Sequence, residues 1–180
     1  MKNITIALYN YEELNDKAKE KALKDWNQYN DDPFMQSHMI NLLKEKLDER
    51  GIKYDEDSID VRYSLSYSQG DGFMFEGTFS LDYGAGRCYT ANVKHSGHYY
   101  HSKSRTIEWL DADTAEEASE DVGEEGKDYQ TFVQMYEEVC KEMERAGYDH
   151  IEWITSEEYF IDACEANEYT FEANGTMRNA

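Results

Sequence analysis

The sequence lacks the features that divide a chain into domains or carry it across a membrane. Its 180 residues contain one proline and 11 glycines. No stretch rich in glycine, serine or proline could serve as a linker, so the sequence predicts a single domain over residues 1–180. No apolar run approaches the length of a membrane span, and no apolar segment follows a basic N-terminal flank. We therefore expect a soluble protein that remains in the cytoplasm.

Cysteine is also scarce. The three cysteines, Cys88, Cys140 and Cys164, are odd in number, widely spaced along the chain and set in apolar surroundings. This arrangement favours reduced thiols in the core over a disulfide or a zinc site. We expect no bound cofactor.

Basic residues are nearly absent from the C-terminal third of the chain. Residues 108–172 contain 22 Asp and Glu but only three basic residues, a net charge of −19. Residues 1–107 contain 17 acidic and 14 basic residues, a net charge of −3, and the whole chain carries −21. Such a charge repels nucleic acid and accelerates association with a strongly basic partner. An acidic surface that only keeps the protein in solution is the alternative interpretation.

The central stretch of the chain predicts a β-hairpin. Hydrophobic and polar residues alternate over residues 58–67 and again over 73–83, which is typical of half-buried antiparallel strands. Between them, residues 68–72 read Ser-Gln-Gly-Asp-Gly, and the two glycines permit positive φ and a tight reversal. The loop is either a plain hairpin connection or a contact site in which Gln69 and Asp71 are held on a rigid scaffold.

Helices and further strands are predicted on both sides of this hairpin. Alternation predicts strands at residues 3–9, 88–95, 105–110 and 169–171. Apolar residues at helical spacing, with capping residues before them, predict helices over residues 16–29, 33–50, 129–146 and 156–166. An acidic loop or short helix is expected at about 111–128. The order of elements predicts an α+β fold, with an antiparallel sheet of about four to six strands packed against several helices.

Three histidines, His95, His98 and His101, lie at the end of the predicted strand at 88–95 and directly after it. Three imidazoles could bind a metal, but successive members of this set have opposite parity and would point to opposite faces of a continuous strand. His95 and His98 could face each other only if the chain turns at Gly97. We therefore predict no metal site and no catalytic histidine, and we interpret the histidines and the adjacent Tyr100 as surface or interface aromatics.

Four segments together resemble a family of small acidic proteins from phages and prophages. They are the first strand with Ala-Lys-Glu-Lys-Ala at 18–22, the turn at 68–72, Lys-His-Ser-Gly-His-Tyr-Tyr-His at 94–101 and Ala-Asn-Glu-Tyr-Thr-Phe at 166–171. The resemblance covers nearly the whole chain, although residues 111–128 are more acidic than the common pattern. The family is similar to some phage-encoded anti-CRISPR proteins, which inhibit Cas nucleases. The resemblance implies an inhibitor in a phage-infected or lysogenic bacterium, but no motif assigns a functional residue.

These observations predict a protein without enzymatic activity that binds a basic, nucleic-acid-handling partner, with a Cas nuclease as one candidate. Clustered carboxylates can occupy a basic channel that otherwise binds phosphates, so we expect no direct contact with nucleic acid or membrane. The residues predicted to contact the partner are Gln69, Asp71, His98, Tyr100, Glu116, Glu117, Glu120, Asp121, Glu124 and Glu125. Two alternatives remain open: a small enzyme centred on Asp71 and the three histidines, and a nucleic-acid-binding protein that uses Lys94, Lys103 and Arg105.

Overall fold

A computed structural model of the protein describes residues 6–29, 32–84, 87–109 and 127–178. The chain forms two compact units. The smaller unit comprises Met1–Asp32 with Asp149–Ala180, and the larger unit comprises Pro33–Tyr148. The predicted acidic segment at 111–128 lies almost wholly outside the described residues. That the chain acts as one domain stays a prediction.

The described residues form helices, short strands and one short 3-10 turn, Tyr11–Glu13. The helices are α1 (Asp16–Tyr29), α2 (Met35–Glu49), α3 (Lys127–Ile154) and α4 (Glu157–Ala166). The strands are β1 (Lys53–Tyr54), β2 (Asp60–Ser64), β3 (Gly72–Gly84), β4 (Arg87–His95), β5 (Arg105–Trp109), β6 (Thr170–Phe171) and β7 (Met177–Arg178).

Strand β3 is the centre of an antiparallel sheet of five strands in the larger unit. It pairs with β1, with β2 in the predicted hairpin, and with β4, which in turn pairs with β5. The β2–β3 register places Ser64 opposite Gly72, so the hairpin loop covers residues 65–71. A second sheet, of β6 and β7, belongs to the smaller unit. The α+β prediction with an antiparallel sheet is therefore confirmed.

The core of the larger unit follows the predicted alternation along β3. Phe73, Phe75 and Phe79 are at most 1% exposed, and burial of such aromatic side chains contributes about 1.5–3 kcal/mol each. Tyr136 of α3 packs against Phe75 with ring centroids 4.2 Å apart. Its hydroxyl donates to the Phe75 carbonyl at 2.7 Å and accepts from the Phe75 amide at 3.1 Å. Helix α3 is therefore tied to the sheet by a buried polar contact as well as by apolar packing.

The smaller unit has its own hydrophobic core. Tyr11, Phe160 and Phe171 are buried and meet edge to face, with ring centroids 5.0–6.1 Å apart. The side chain of Asn15 accepts from the Ala18 amide and so caps α1 at the predicted residue. This unit therefore has a packing centre separate from β3.

One predicted strand is described only in part, and one predicted helix start is wrong. Residues 3–5 of the expected first strand lie outside the described residues, and residues 6–9 form an isolated bridge, Tyr9 to Phe171, in place of a strand. Helix α2 begins at Met35 and not at Pro33, and Phe34 caps it without a side-chain hydrogen bond. The carboxylate expected to cap it, on Asp32, lies 2.8 Å from His150 Nε2 instead.

Two predicted element ends are also wrong. Helix α3 continues through Gly147 to Ile154. A Cβ atom there would lie 2.4 Å from Leu65 Cδ1, so a larger residue would require the Leu65 side chain to move. Gly147 therefore marks a close packing contact and not a helix end. Strand β2 ends at Ser64. Tyr67, expected to continue the alternation, has a φ of +56° and lies in the loop.

In the ranges that the structure describes, no helix is both long and apolar enough to cross a membrane.

Candidate functional site

Two loops of the larger unit meet beside the start of β3. One is the hairpin loop of residues 65–71, here called the Asp71 loop, and the other joins β4 to β5 over residues 96–104, here called the histidine loop. Gly70 has a φ of +105°, and a Cβ atom there would lie 2.9 Å from Tyr99 Cε1. A Cβ atom on Gly72 would lie 2.7 Å from His101 Nδ1 and 2.9 Å from the Tyr100 carbonyl oxygen. Both glycines therefore allow the close approach of the two loops, although only Gly70 also needs positive φ.

The carboxylate of Asp71 is the hub of its loop. One oxygen accepts from the hydroxyls of Ser64, Ser66 and Ser68 at 2.9, 3.0 and 3.2 Å. The other accepts from the amides of Ser66 and Ser68 at 2.7 and 2.9 Å, and from the Tyr148 hydroxyl at 2.8 Å. Asp71 therefore shapes the loop and fixes it to α3.

These hydrogen bonds stabilise the ionised form of Asp71. Desolvation acts to raise the pKa of its carboxyl, but donation from the Ser68 amide, Tyr148 and the other serines outweighs desolvation and lowers the pKa well below its usual range. The hydrogen bond to Asp71, together with desolvation, raises the pKa of Tyr148 to about 12. At neutral pH the ionised Asp71 carboxylate therefore accepts a hydrogen bond from the neutral Tyr148 hydroxyl. As an acid or base, Asp71 is poorly matched to neutral pH.

The structure brings together three other residues that the sequence singled out. Gln69, His98 and Tyr100 line one small surface cleft of about 190 Å³, between the Asp71 loop and the histidine loop. Gln69 and His98 are exposed, and Tyr99 is 51% exposed at the same place. The cleft offers polar and aromatic side chains on a supported scaffold, which suits a contact surface.

The histidine loop is wider than the two-residue turn considered from the sequence. It is closed by a hydrogen bond from the Ser96 amide to the Ser104 carbonyl at 2.9 Å. His95 Nε2 lies 3.2 Å from the Tyr99 carbonyl oxygen, and His101 packs against Gly72 as described above. Among the described residues, no group of three or more His, Cys, Asp and Glu side chains is placed to hold a metal ion.

The most acidic predicted contacts lie outside the described residues: Glu116, Glu117, Glu120, Asp121, Glu124 and Glu125. The acidic surface that the structure does describe includes one face of α4. Glu158, Asp162 and Glu165 are exposed there at helical spacing. None of these three carboxylates forms an ion pair within the described ranges.

Two polar clusters near the site were not predicted. On the sheet, Glu76 accepts from the His95 amide at 2.7 Å and pairs with Arg62. Desolvation acts to raise the pKa of Glu76, but the bonds from the His95 amide and Arg62 outweigh desolvation and lower it. The Arg105 guanidinium lies 4.7 Å from the ring centroid of Tyr136 and 3.2 Å from Glu137. Its side chain is only 7% exposed, so Arg105 acts as a packed cross-link and not as a free cation for nucleic acid.

The Asp71 and Arg105 clusters depend on contacts between distant parts of the chain. Asp71 and Tyr148 are separated by 77 positions, and Arg105 and Glu137 by 32. The sequence signal that could have helped was the density of hydroxyl groups around Asp71, because a short carboxylate among serines is typical of a loop closed by its own side chain.

No protein-family model matches the sequence, and no curated protein or solved structure matches the chain significantly. The resemblance to phage and prophage proteins therefore stays a prediction.

Proposed function

We propose that the protein is an anti-defence inhibitor that binds a basic, nucleic-acid-handling protein through its acidic C-terminal third. A Cas nuclease is the first candidate partner. In this proposal the protein has no enzymatic activity, and its carboxylates occupy a surface that otherwise binds phosphates.

The observation that carries the proposal is the segregation of charge, because residues 108–172 carry a net charge of −19 against −3 for residues 1–107. Some acids of residues 108–172 do form ion pairs, such as Glu137 with Arg105 and Glu142 with Arg50. On α4, Glu158, Asp162 and Glu165 are exposed and have no ion pair among the described residues. The helix therefore presents three uncompensated charges along one face.

Uncompensated charge of this kind acts mainly before contact. Complementary potentials steer a basic partner and raise the association rate constant by one to three orders of magnitude at low salt. The field is screened over about 8 Å at physiological ionic strength. Solubility requires net charge but not the segregation of acids into one third of the chain. A protein that competes with nucleic acid for a basic surface gains a faster association from that segregation.

The cleft between the Asp71 loop and the histidine loop is proposed as a second contact. Exposed tyrosine and histidine side chains supply the short-range contacts that acidic surfaces lack, and aromatic residues are enriched at binding hot spots. Gln69, His98 and Tyr100 would make these contacts directly. Asp71 would act by holding the loop in shape, because its carboxylate is already engaged within the protein.

The proposal is tested with two charge-matched triple variants. The first is Glu158→Gln, Asp162→Asn and Glu165→Gln, and the control is Glu20→Gln, Glu45→Gln and Asp57→Asn, which neutralises three exposed acids in residues 1–107. Purified Cas nucleases are assayed for cleavage with each protein. We expect wild type and control to inhibit alike and the α4 variant to inhibit about tenfold less well, through slower association. Equal inhibition by both variants, or no inhibition of any nuclease by wild type, contradicts the proposal.

A further inference from the structure

A groove of about 900 Å³ lies on the surface of the larger unit, along α3. The helix contributes residues at intervals of three and four positions from Gln130 to Tyr148, so the groove follows one helix face. His101 and Ser102 of the histidine loop form the other side. The volume lies in the range typical of small-molecule sites, about 300–1,000 Å³.

Two cations project along this groove. Lys141 and Arg145 are exposed, lie one helical turn apart and both line it. Neither forms an ion pair with any residue that the structure describes. They are two of only three basic residues in the acidic stretch 108–172, so their shared position on one groove is a distinctive feature of that stretch.

The neighbouring carboxylates form no ion pair with these two cations among the described residues, although their spacing on the helix would allow it. Glu137 and Glu138 precede Lys141 by one turn, and Glu142 precedes Arg145 by three positions. Each of the three accepts a bond from another side chain instead: Arg105 to Glu137 at 3.2 Å, Gln134 to Glu138 at 3.0 Å and Arg50 to Glu142 at 2.6 Å. Gln134 is uncharged, so Glu138 keeps its negative charge. Glu138 and Glu144 together balance the charges of Lys141 and Arg145, and the groove carries no net charge from these four side chains.

The base of the groove is apolar. Phe73, Val133 and Cys140 line it, and Phe73 and Cys140 are 1% and 2% exposed. Desolvation raises the pKa of the Cys140 thiol to about 12, so the thiol is neutral and behaves as a small hydrophobic group. The groove therefore combines an apolar base with two cations that form no ion pair among the described residues.

We propose that this groove binds a small organic phosphate, with the phosphate between Lys141 and Arg145 and an aromatic or aliphatic body against Val133, above the buried Phe73 and Cys140. A lysine and an arginine one turn apart match the two negative charges and several acceptor oxygens of a phosphate monoester. The net charge of −21 opposes anion capture at long range. Affinity therefore comes from short-range contacts and depends on the apolar body as well as on the phosphate.

Isothermal titration calorimetry with naphthyl phosphate tests the site, with inorganic phosphate and naphthol as the separated halves of the probe. We expect saturable binding of naphthyl phosphate at one equivalent, and binding at least about tenfold weaker for either half. Absence of saturable binding at millimolar concentrations overturns the proposal. So does equal affinity for the intact probe and either half.

Three variants locate the binding. Lys141→Gln with Arg145→Gln should weaken naphthyl phosphate binding about tenfold or more, because it removes the charge-assisted hydrogen bonds. The control, Lys17→Gln with Lys24→Gln, makes the same change in net charge on exposed positions of α1 and should leave the affinity unchanged. Glu144→Gln should strengthen binding. Equal weakening by the two double variants would show a general charge effect and overturn the site.

Discussion

A position can favour glycine because its φ is positive or because a Cβ atom would meet a neighbouring atom. Three glycines of the larger unit separate these two reasons, and alanine substitution measures the free-energy cost of each. Gly51 has a φ of +66° and no atom within 4 Å of an added Cβ. Gly72 has no positive φ, but its added Cβ would lie 2.9 Å from a backbone oxygen, that of Tyr100. Gly70 combines a φ of +105° with a contact to the ring of Tyr99.

The expected costs differ accordingly. Gly51→Ala should destabilise by about 1 kcal/mol, the cost of a left-handed conformation for an L residue. Gly72→Ala should cost about 2–3 kcal/mol, because a backbone carbonyl cannot move aside without distorting the histidine loop. Gly70→Ala should cost about 1–2 kcal/mol, since the half-exposed ring of Tyr99 can rotate away while the φ strain remains. For a chain of this length, about 2–3 kcal/mol lowers Tm by about 5–10 °C.

Urea unfolding followed by far-ultraviolet circular dichroism gives the three free energies of unfolding. Second substitutions test the assignment of each cost. Tyr99→Ala should reduce the effect of Gly70→Ala only in part, and His101→Ala should leave most of the effect of Gly72→Ala, because the Tyr100 carbonyl remains. A Gly72→Ala protein as stable as wild type would refute the close approach of the two loops.

Two further predictions concern buried and partly buried polar contacts. Tyr136→Phe keeps the ring but removes the hydroxyl that donates to the Phe75 carbonyl, while the Phe75 amide retains its contact with Cys140. Urea unfolding should therefore show a loss of about 1–3 kcal/mol, and a change below about 0.5 kcal/mol would contradict the buried contact. Asp71→Asn should lower Tm at neutral pH, whereas Asp57→Asn, an exposed control, should not. Because the pKa of Asp71 is lowered in the folded state, its stabilisation is complete above about pH 4 and is lost as the pH falls further. The Tm difference between wild type and Asp71→Asn should therefore shrink at about pH 3, and a constant difference would contradict this role.

Periodicity was sufficient for the elements whose burial depends on one local pattern. The alternation along β3 predicted the burial of Phe73, Phe75 and Phe79, and the apolar spacing on α2 predicted its buried face. The alternation did not predict Met74, which has the opposite parity on β3 and is also fully buried. The cap of α1 at Asn15 was also local, since it joins a side chain to an amide three positions away. Where the partner is close in sequence, residue type and spacing determine the contact.

Prediction failed where a residue serves a distant partner. Gly147 was predicted to follow the end of the helix, but the helix continues through it and it packs closely against Leu65, 82 positions earlier. Ile6 and Leu8 alternate like a strand but are 52% and 50% exposed, because no second strand pairs beside them among the described residues. The Ser-Gln-Gly-Asp-Gly turn was recognised, but its hydrogen bond to Tyr148 was not, and contact of Asp71 with a partner stays a prediction. The phage resemblance and the partner residues in the 116–125 segment stay predictions.

The central claim, that the acidic third occupies a phosphate-binding surface, is tested most directly by competition. A Cas nuclease that the protein inhibits is captured on a surface. Binding of the protein to it is then measured at increasing concentrations of nucleic acid and of salt. The account predicts that nucleic acid and the protein exclude each other, and that the association rate falls steeply as salt rises toward physiological ionic strength. A ternary complex with nucleic acid, together with an association rate that does not change with salt, would contradict it.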